Sequence, residues 1–252
     1  MKSLLPLPEN TNFGSRTSRR KVRLASDGGR VIAQFSDIYH EMSCEVFHDG
    51  ETIQSISGAM SRVPTSLCQG ATQVLEMLTG APLDADLSEF YGGSRAKQQC
   101  THLYDLAVMA IRHCRREGER IYEAEVPDMV GVVDVSIRCN GKPVHQWRIK
   151  DERIVVPVEL SGKPVIKGFM SWAHKIYSDP DKLEAALILS RTIFIARGRR
   201  FSIASGRGHT LDTHKTLEGS CYAYQPARAS SGHYLGTNER DFSKAIELKI
   251  IK

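Results

Sequence analysis

The segment Tyr39-His40-Glu41 contains residue types that could carry acid–base chemistry. If it lies in a strand, Tyr39 points to one face and His40 to the other, together with three apolar residues, Met42, Cys44 and Val46. His40 is then the polar end of an apolar stripe, where a neutral histidine can act as a general base near pH 7. A core histidine bonded to the backbone is the alternative. Asp37 can orient His40 only if a bulge or bend separates them.

A second group of candidates is Cys100 and His102. Residues two positions apart on a helix point about 200° apart, so this pair can share a metal only in a non-helical turn before a helix. With Cys68 they would supply three ligands for zinc or iron. In the alternative interpretation both cysteines are small buried hydrophobes, and His102 bonds Asp105. Predicted helix starts near both cysteines favour thiolates, and we expect the thiols to be reduced and close to each other or to His102.

Two arginines and several aromatic residues are candidates for substrate binding. Arg62 precedes Pro64 at a strand-to-helix junction, and Arg191 lies among apolar residues of a predicted helix. A buried arginine needs an anionic partner, from the protein or from a ligand. The other substrate-binding candidates are Trp172, Tyr222 and Tyr224, of which the two tyrosines lie in a Gly-rich tail that could form a lid.

The elements that must position these residues alternate between strands and helices. A first set of about three strands comprises RKVRLAS, the long run from Arg30 to His48 and TIQSISGAMSRV. A second set, after Gly118, comprises RIYEAEVPD, GVVDVSIRCNG, KPVHQWRIKDERI and VPVEL. Whether the two sets form one sheet is left open. This pattern predicts an α+β fold.

Helical periodicity predicts three main helices. One runs from Pro64 to Leu78, a longer one is capped by Ser94 and continues to Cys114, and a third spans Pro180 to Arg197. Residues 1–18 read as an irregular arm, and residues 19–252 as a single compact α+β domain with a long C-terminal loop or lid. The predicted pocket lies where the long strand meets two helix starts, lined by His40, Arg62, Cys68 and His102, with a tail tyrosine over it.

Composition limits the function classes. The chain has 252 residues, 41% of them hydrophobic, enough for a core. The net charge of +5 comes from short arginine clusters without a nucleic-acid-binding motif, so we expect no nucleic-acid partner. No 18-residue apolar run, signal peptide or paired cysteine motif is evident, so the chain is predicted to be cytoplasmic, without a membrane partner. Without nucleotide-binding or hydrolase motifs, no cofactor is expected.

Several segments resemble one family. They are FSDIYHEMSCEVFHDGETI, RVPTSLCQGATQVLEMLTGAPL, QCTHLYDLAVMA, FMSWAHKIYSDPDKLEAALILSRTIFIARGR and CYAYQPARA, of which Cys-Thr-His-Leu at 100–103 is the most specific. Together they resemble the bacterial family catalogued as domain of unknown function 2889, over about residues 19–242. The resemblance implies no activity by itself. Many members look like small-molecule catabolic proteins from bacteria that degrade aromatic compounds or steroids, which is an analogy of context.

Three functions remain. The first is a cofactor-independent lyase or isomerase that uses acid–base chemistry on a small aromatic or anionic substrate, with elimination or retro-aldol cleavage as reaction types. Its catalytic candidates are His40, His102, Asp105 and Tyr39. The second is a metal or iron–sulfur protein built on Cys68, Cys100 and His102, and the third a non-catalytic ligand-binding module. A homodimer is left open.

Overall fold

The fold is built on one antiparallel sheet. The computed structural model describes residues 7–92, 98–236, 240 and 246–248. Within these residues the sheet has eight strands in the order β4-β3-β2-β1-β5-β6-β7-β8. The strands are β1 (Thr17–Asp27), β2 (Arg30–Ser36), β3 (Glu41–His48), β4 (Ile53–Arg62), β5 (Glu119–Pro127), β6 (Val132–Cys139), β7 (Lys142–Lys150) and β8 (Arg153–Val156).

The two predicted strand sets are the two halves of this sheet. They meet at β1 and β5, which pair antiparallel from Thr17↔Pro127 to Ala25↔Glu119. Each half is a four-stranded meander, because neighbours in sequence are also neighbours in the sheet. The open question of one sheet or two is therefore answered, and the predicted α+β class is confirmed.

The sheet has one apolar face and one charged face. Along β1, Val22 and Leu24 are buried, whereas residues at the alternate positions of the strand form cross-strand ion pairs with β5. These pairs are Arg19–Glu125, Lys21–Glu123 and Arg23–Glu119. The alternation follows from the two-residue period of a strand, and it leaves the apolar face to be covered by helices.

Two long helices pack on the apolar face. The α-helices among the described residues are α1 (Leu87–Tyr91), α2 (Thr101–His113), α3 (Met170–Ile176), α4 (Pro180–Gly198) and α5 (Pro226–Ala229). Helix α2 packs on β3, β2 and β1, and α4 packs on β5, β6, β1 and β7. Helix α4 begins where Asp179 accepts hydrogen bonds from the amides of Asp181 and Lys182, with Pro180 in the first turn. The predicted third helix agrees with α4 to within one residue.

Four predicted elements differ from the structure. The long strand from Arg30 to His48 is interrupted at residues 37–40, so the first set has four strands. The segment VPVEL does not form a strand, since β8 ends at Val156 before Pro157, which has no N–H to donate. The predicted first helix is a 3-10 helix, Cys68–Leu78. The longer helix begins at Thr101; its predicted cap, Ser94, lies outside the described residues.

The tail is folded from Ser202 to Gly236. It consists of short 3-10 helices and α5, anchored by isolated β-bridges such as Thr65↔Tyr234 and Thr210↔His233. Tyr222 packs over Gly70 of the long 3-10 helix, where a Cβ atom at Gly70 would lie 2.6 Å from the tyrosine oxygen. In the part of the chain that the structure describes, no helix is both long and apolar enough to span a membrane.

Candidate acid–base site

A turn built around Asp37 positions His40. After β2 ends at Ser36, the Asp37 carboxylate accepts hydrogen bonds from the amides of Tyr39 (3.0 Å) and His40 (2.9 Å). The same oxygen, Oδ1, lies 2.9 Å from Nδ1 of His40. An aspartate at the start of a turn commonly bonds the backbone in this way. His40 therefore precedes β3, and the bend that Asp37 needs in order to orient it is present.

Arg20 of β1 is the ionic partner of Asp37. Its Nη2 lies 2.5 Å from Asp37 Oδ2, and both side chains are buried. Its guanidinium carbon lies 5.0 Å from the centre of the Phe35 ring. Burial alone would raise the pKa of Asp37, but the charges of His40 and Arg20 and the hydrogen bond from His40 outweigh it and keep that pKa well below its usual value. Asp37 is consequently a carboxylate that can hold His40 by its Nδ1 proton.

His102 stacks on His40. It lies in the first turn of α2, its ring centre is 4.1 Å from that of His40, and the two ring planes are 22° apart. Desolvation, followed by the positive charges of His40 and Arg20, lowers the pKa of His102 well below its usual value. The structure gives no hydrogen bond from either Nε2 atom to the residues that it describes.

A second ion pair lies beside His102. Arg191 of α4 donates to both carboxylate oxygens of Asp105, at 2.6 and 3.4 Å. Tyr91 donates its hydroxyl to the same carboxylate at 2.8 Å. Burial and the Asp105 charge raise the pKa of Tyr91 well above its usual value, so it stays protonated. The expected bond between His102 and Asp105 is not formed, because Asp105 is engaged by these two donors and Nδ1 of His102 faces Thr101 Oγ1 at 3.3 Å.

Arg62 and Tyr39 support the turn. Arg62 Nη2 donates to Ser36 Oγ (2.8 Å) and to the carbonyl of His40 (2.9 Å), and so joins the end of β4 to both sides of the turn. Tyr39 lies in a small apolar cluster with Ile38 and Ile195 of α4. The structure thus brings His40, His102, Asp105, Arg62, Arg191 and Tyr39 to one end of the sheet.

The other candidates lie elsewhere. Trp172 packs against Phe169 in the second half of the molecule and donates to the Pro164 carbonyl at 2.9 Å. Tyr222 and Tyr224 belong to the folded tail, where Tyr224 bonds Tyr234 rather than covering His40. The pocket lined by His40, Arg62, Cys68 and His102 stays a prediction, with His40 in contact with Arg62 and His102. A cavity of about 190 Å³ lies in the tail and includes only Tyr224 among these candidates.

Four of the six cysteines are buried. All six are free, and Cys68 and Cys100 are buried. Burial raises the pKa of the Cys68 thiol to about 11 and that of Cys100 still further, so the expectation of thiolates is wrong: desolvation exceeds any benefit from the nearby helix starts. No group of three histidine, cysteine or acidic residues with metal-binding geometry occurs among the described residues.

Three site residues were not anticipated from the sequence. They are Arg20, Phe35 and Tyr91. A signal for Arg20 was available, because it is in phase with the buried Val22 and Leu24 on β1, and an inward-facing arginine requires a carboxylate. Tyr91 had no such signal, since its partner Asp105 comes from a different helix.

One known family matches the first part of the chain. The family described as "Protein of unknown function (DUF2889)" matches residues 19–116. The resemblance to this family is confirmed over that segment. The DUF2889 segment contains Arg20, Asp37, His40, His102 and Asp105, but it ends before Arg191 and is shorter than the range expected from the sequence. A search of curated proteins finds no match to the chain.

Proposed function

We propose that the protein is an enzyme that transfers protons at His40 and His102, as a lyase or isomerase that needs no cofactor. The observation that carries the proposal is the stacked histidine pair in which one ring is bonded to a buried carboxylate and the other is not. Two titratable groups in contact whose surroundings favour opposite protonation states are the usual arrangement of a catalytic acid and base.

The roles follow from the surroundings of each ring. Asp37 accepts the hydrogen bond from Nδ1 of His40, whereas burial lowers the pKa of His102 and keeps that ring neutral. Protonating both rings would place two like charges about 4 Å apart, which is unfavourable. His102 is therefore the base, which accepts a proton at Nε2, and His40 is the acid, which donates the proton from its own Nε2.

One reaction step can be written for this pair. The base takes a proton from a carbon next to a carbonyl group, the carbon–hydrogen electron pair forms the enol double bond, and the carbonyl oxygen receives the proton of His40. In an isomerisation the enol hydroxyl returns its proton to His40, and another carbon takes the proton held by His102. In an elimination the enol hydroxyl returns its proton to His40, and the leaving group departs with its bonding electrons and takes the proton held by His102. A retro-aldol cleavage begins with removal of a hydroxyl proton by the same base. None of these steps needs an added cofactor.

The proposed substrate is small and aromatic or anionic. The Phe35 ring lies 6.2 Å from the His40 ring and 6.4 Å from the His102 ring, centre to centre, so both histidines have an aromatic neighbour. Arg20, Arg62 and Arg191 surround the pair, and they favour negative charge that develops on a bound oxygen.

Proton exchange tests the proposal without knowledge of the substrate. The protein is incubated in D2O with aromatic 2-oxo acids and 3-hydroxy ketones, and NMR follows deuterium incorporation next to the carbonyl group. We expect exchange with at least one compound, and His102→Gln and His40→Gln should each slow it on the order of 100-fold or more. His174→Gln is the control, since His174 is exposed on α3. Equal exchange rates in the native protein and in both site variants would remove the acid–base role. Binding without exchange would indicate the non-catalytic alternative.

A further inference from the structure

The middle of the histidine turn, residues 37–40, packs outside the main hydrophobic cluster. Ile38 and Tyr39 are 6% and 5% exposed. Their side chains belong to a small apolar cluster whose other two buried members are Ile195 of α4 and Ile246 near the end of the chain. Small clusters of this kind commonly lie beneath loops. The position of the turn therefore depends on residues that are distant from it in the sequence.

The end of the chain also contacts the turn through its backbone and through a charge. The N–H group of Arg240 donates to the carbonyl of Ile38 at 2.9 Å. Nη1 of Arg240 lies 3.4 Å from Oε2 of Glu41, the residue directly after His40. Arg240 and residues 246–248, called the C-terminal clasp below, thus reach the turn by an apolar contact, a hydrogen bond and an ion pair.

These three contacts differ in strength. The side chains of Arg240 and Glu41 are 43% and 25% exposed, so water screens their ion pair and it contributes little. Ile246 is 5% exposed, and Leu248 packs against the same apolar cluster. Burial of apolar surface is the stronger driving force. Ile246 and the N–H group of Arg240 are therefore the parts of the clasp that should hold the turn.

We propose that Arg240 and Ile246 are positioning residues, and that the C-terminal clasp keeps His40 beside His102 for proton transfer. This inference rests on the proposed function for its catalytic consequence. Asp37 bonds both the amide and Nδ1 of His40, so a turn that opens separates the His40 ring from the His102 ring, whose centre is now 4.1 Å away. Segments with few buried apolar contacts open more readily than the core, and the clasp opposes that opening.

NMR of the full chain measures the opening of the turn. Hydrogen exchange of the Tyr39 and His40 amides, both bonded to Asp37, reports the opening, and the Nδ1 proton of His40 reports its own bond to Asp37. Ile246→Ala should speed exchange of both amides about 10-fold or more, because it truncates a buried side chain. The Nδ1 proton should exchange faster as well. Ile246→Val keeps most of the buried surface and should remain close to the native protein.

Two substitutions at Arg240 separate the backbone bond from the charge. Arg240→Pro removes the N–H group that donates to Ile38, whereas Arg240→Gln keeps it and removes the charge. We expect faster exchange of the two amides in Arg240→Pro, and exchange within about 3-fold of the native rate in Arg240→Gln. The control is Ile176→Ala at the end of α3, which is 43% exposed and should change neither amide. Circular dichroism establishes that each variant is folded.

Proton transfer supplies the catalytic readout. With the 2-oxo acids and hydroxy ketones named above, Ile246→Ala and Arg240→Pro should slow deuterium incorporation on the order of 10-fold or more, since they misplace a catalytic group. Ile246→Val should retain the native rate. The proposal is overturned if both amides exchange at native rates in Ile246→Ala and Arg240→Pro, or if they exchange faster while proton transfer is unchanged. If the native protein transfers no proton to any compound, the proposed function fails, and the amide and Nδ1 signals alone decide whether the clasp holds His40.

Discussion

Replacing Asp37 by Asn tests whether its ion pair with Arg20 is what holds the histidine turn. Asparagine keeps an oxygen that can accept from the amides of Tyr39 and His40, so the variant removes charge more than shape. The substitution leaves the Arg20 guanidinium buried without the carboxylate that lies 2.5 Å from it in the native protein. Removal of one partner from a buried pair costs about 3–5 kcal/mol. We expect Asp37→Asn to lower the free energy of unfolding by this amount, out of a total of about 5–15 kcal/mol for an ordinary domain.

A double-mutant cycle separates the ion pair from other effects of the substitution. Arg20→Met keeps the length of the side chain, and the double variant removes both charges. We expect each single variant to lose about 3–5 kcal/mol and the double variant to lose clearly less than the sum, with a coupling energy of about 2 kcal/mol or more. Urea unfolding at pH 7 (~25 °C), followed by circular dichroism, measures all four free energies.

The control pair is Asp134–Arg148, which joins β6 and β7 on the exposed face with side chains 70% and 51% exposed. Asp134→Asn should cost far less than Asp37→Asn, because water screens the exposed pair. The pH dependence is a further check. Because the pKa of Asp37 is lowered in the folded state, its stabilising effect is present above the ordinary aspartate pKa of 3.8 and is lost as the pH falls through the folded pKa. The reasoning fails if Asp37→Asn is as mild as Asp134→Asn, or if the coupling energy is zero.

Three further changes have expected outcomes. His102 is held neutral, so its pKa in the folded state lies below 6.5. The free energy of unfolding should therefore decrease as the pH falls below 6.5. In unfolding experiments, His102→Gln should reduce this decrease between pH 6.5 and 5 by up to about 2 kcal/mol. Gly58→Ala would place a Cβ atom 2.8 Å from Leu75, so we expect a loss of about 1–3 kcal/mol, against less than about 0.5 for the exposed Ser57→Ala. Iodoacetamide should modify Cys68 in urea but not in the folded protein, as read by mass spectrometry; rapid labelling of the native chain would contradict its raised pKa.

Local patterns were sufficient for the elements with strong periodicity. Helix α4 could be predicted because proline, an acidic cap and a long apolar run coincide at its start. The buried face of β3 followed from simple alternation of Met42, Cys44 and Val46. In both cases the signal lies within about 20 neighbouring residues, as the rise of a helix and the pleat of a strand require.

The interruption at residues 37–40 was missed because the turn contains neither glycine nor proline. The signal that could have found it is Asp37 itself, whose carboxylate bonds the amides two and three residues later. Pairing of β1 with β5 had no local signal at all, since paired residues such as Thr17 and Pro127 lie far apart in the sequence. The histidine pair depends on both features, because His40 comes from that turn and His102 from a helix packed on the sheet.

The two halves of the sheet explain why the candidate site lies in the first. In the second half, the turn between β6 and β7 is the two-residue Asn140-Gly141, with φ angles of 48° and 77°. Such tight turns suit Asn-Gly and leave no room for residues that could point inward. In the first half, the corresponding connection has four residues, all of them buried, and two of these, Asp37 and His40, are bonded to each other. The second half still contributes Arg191, the partner of Asp105. The DUF2889 segment therefore supplies both histidines, while the ion pair beside them depends on a helix outside it.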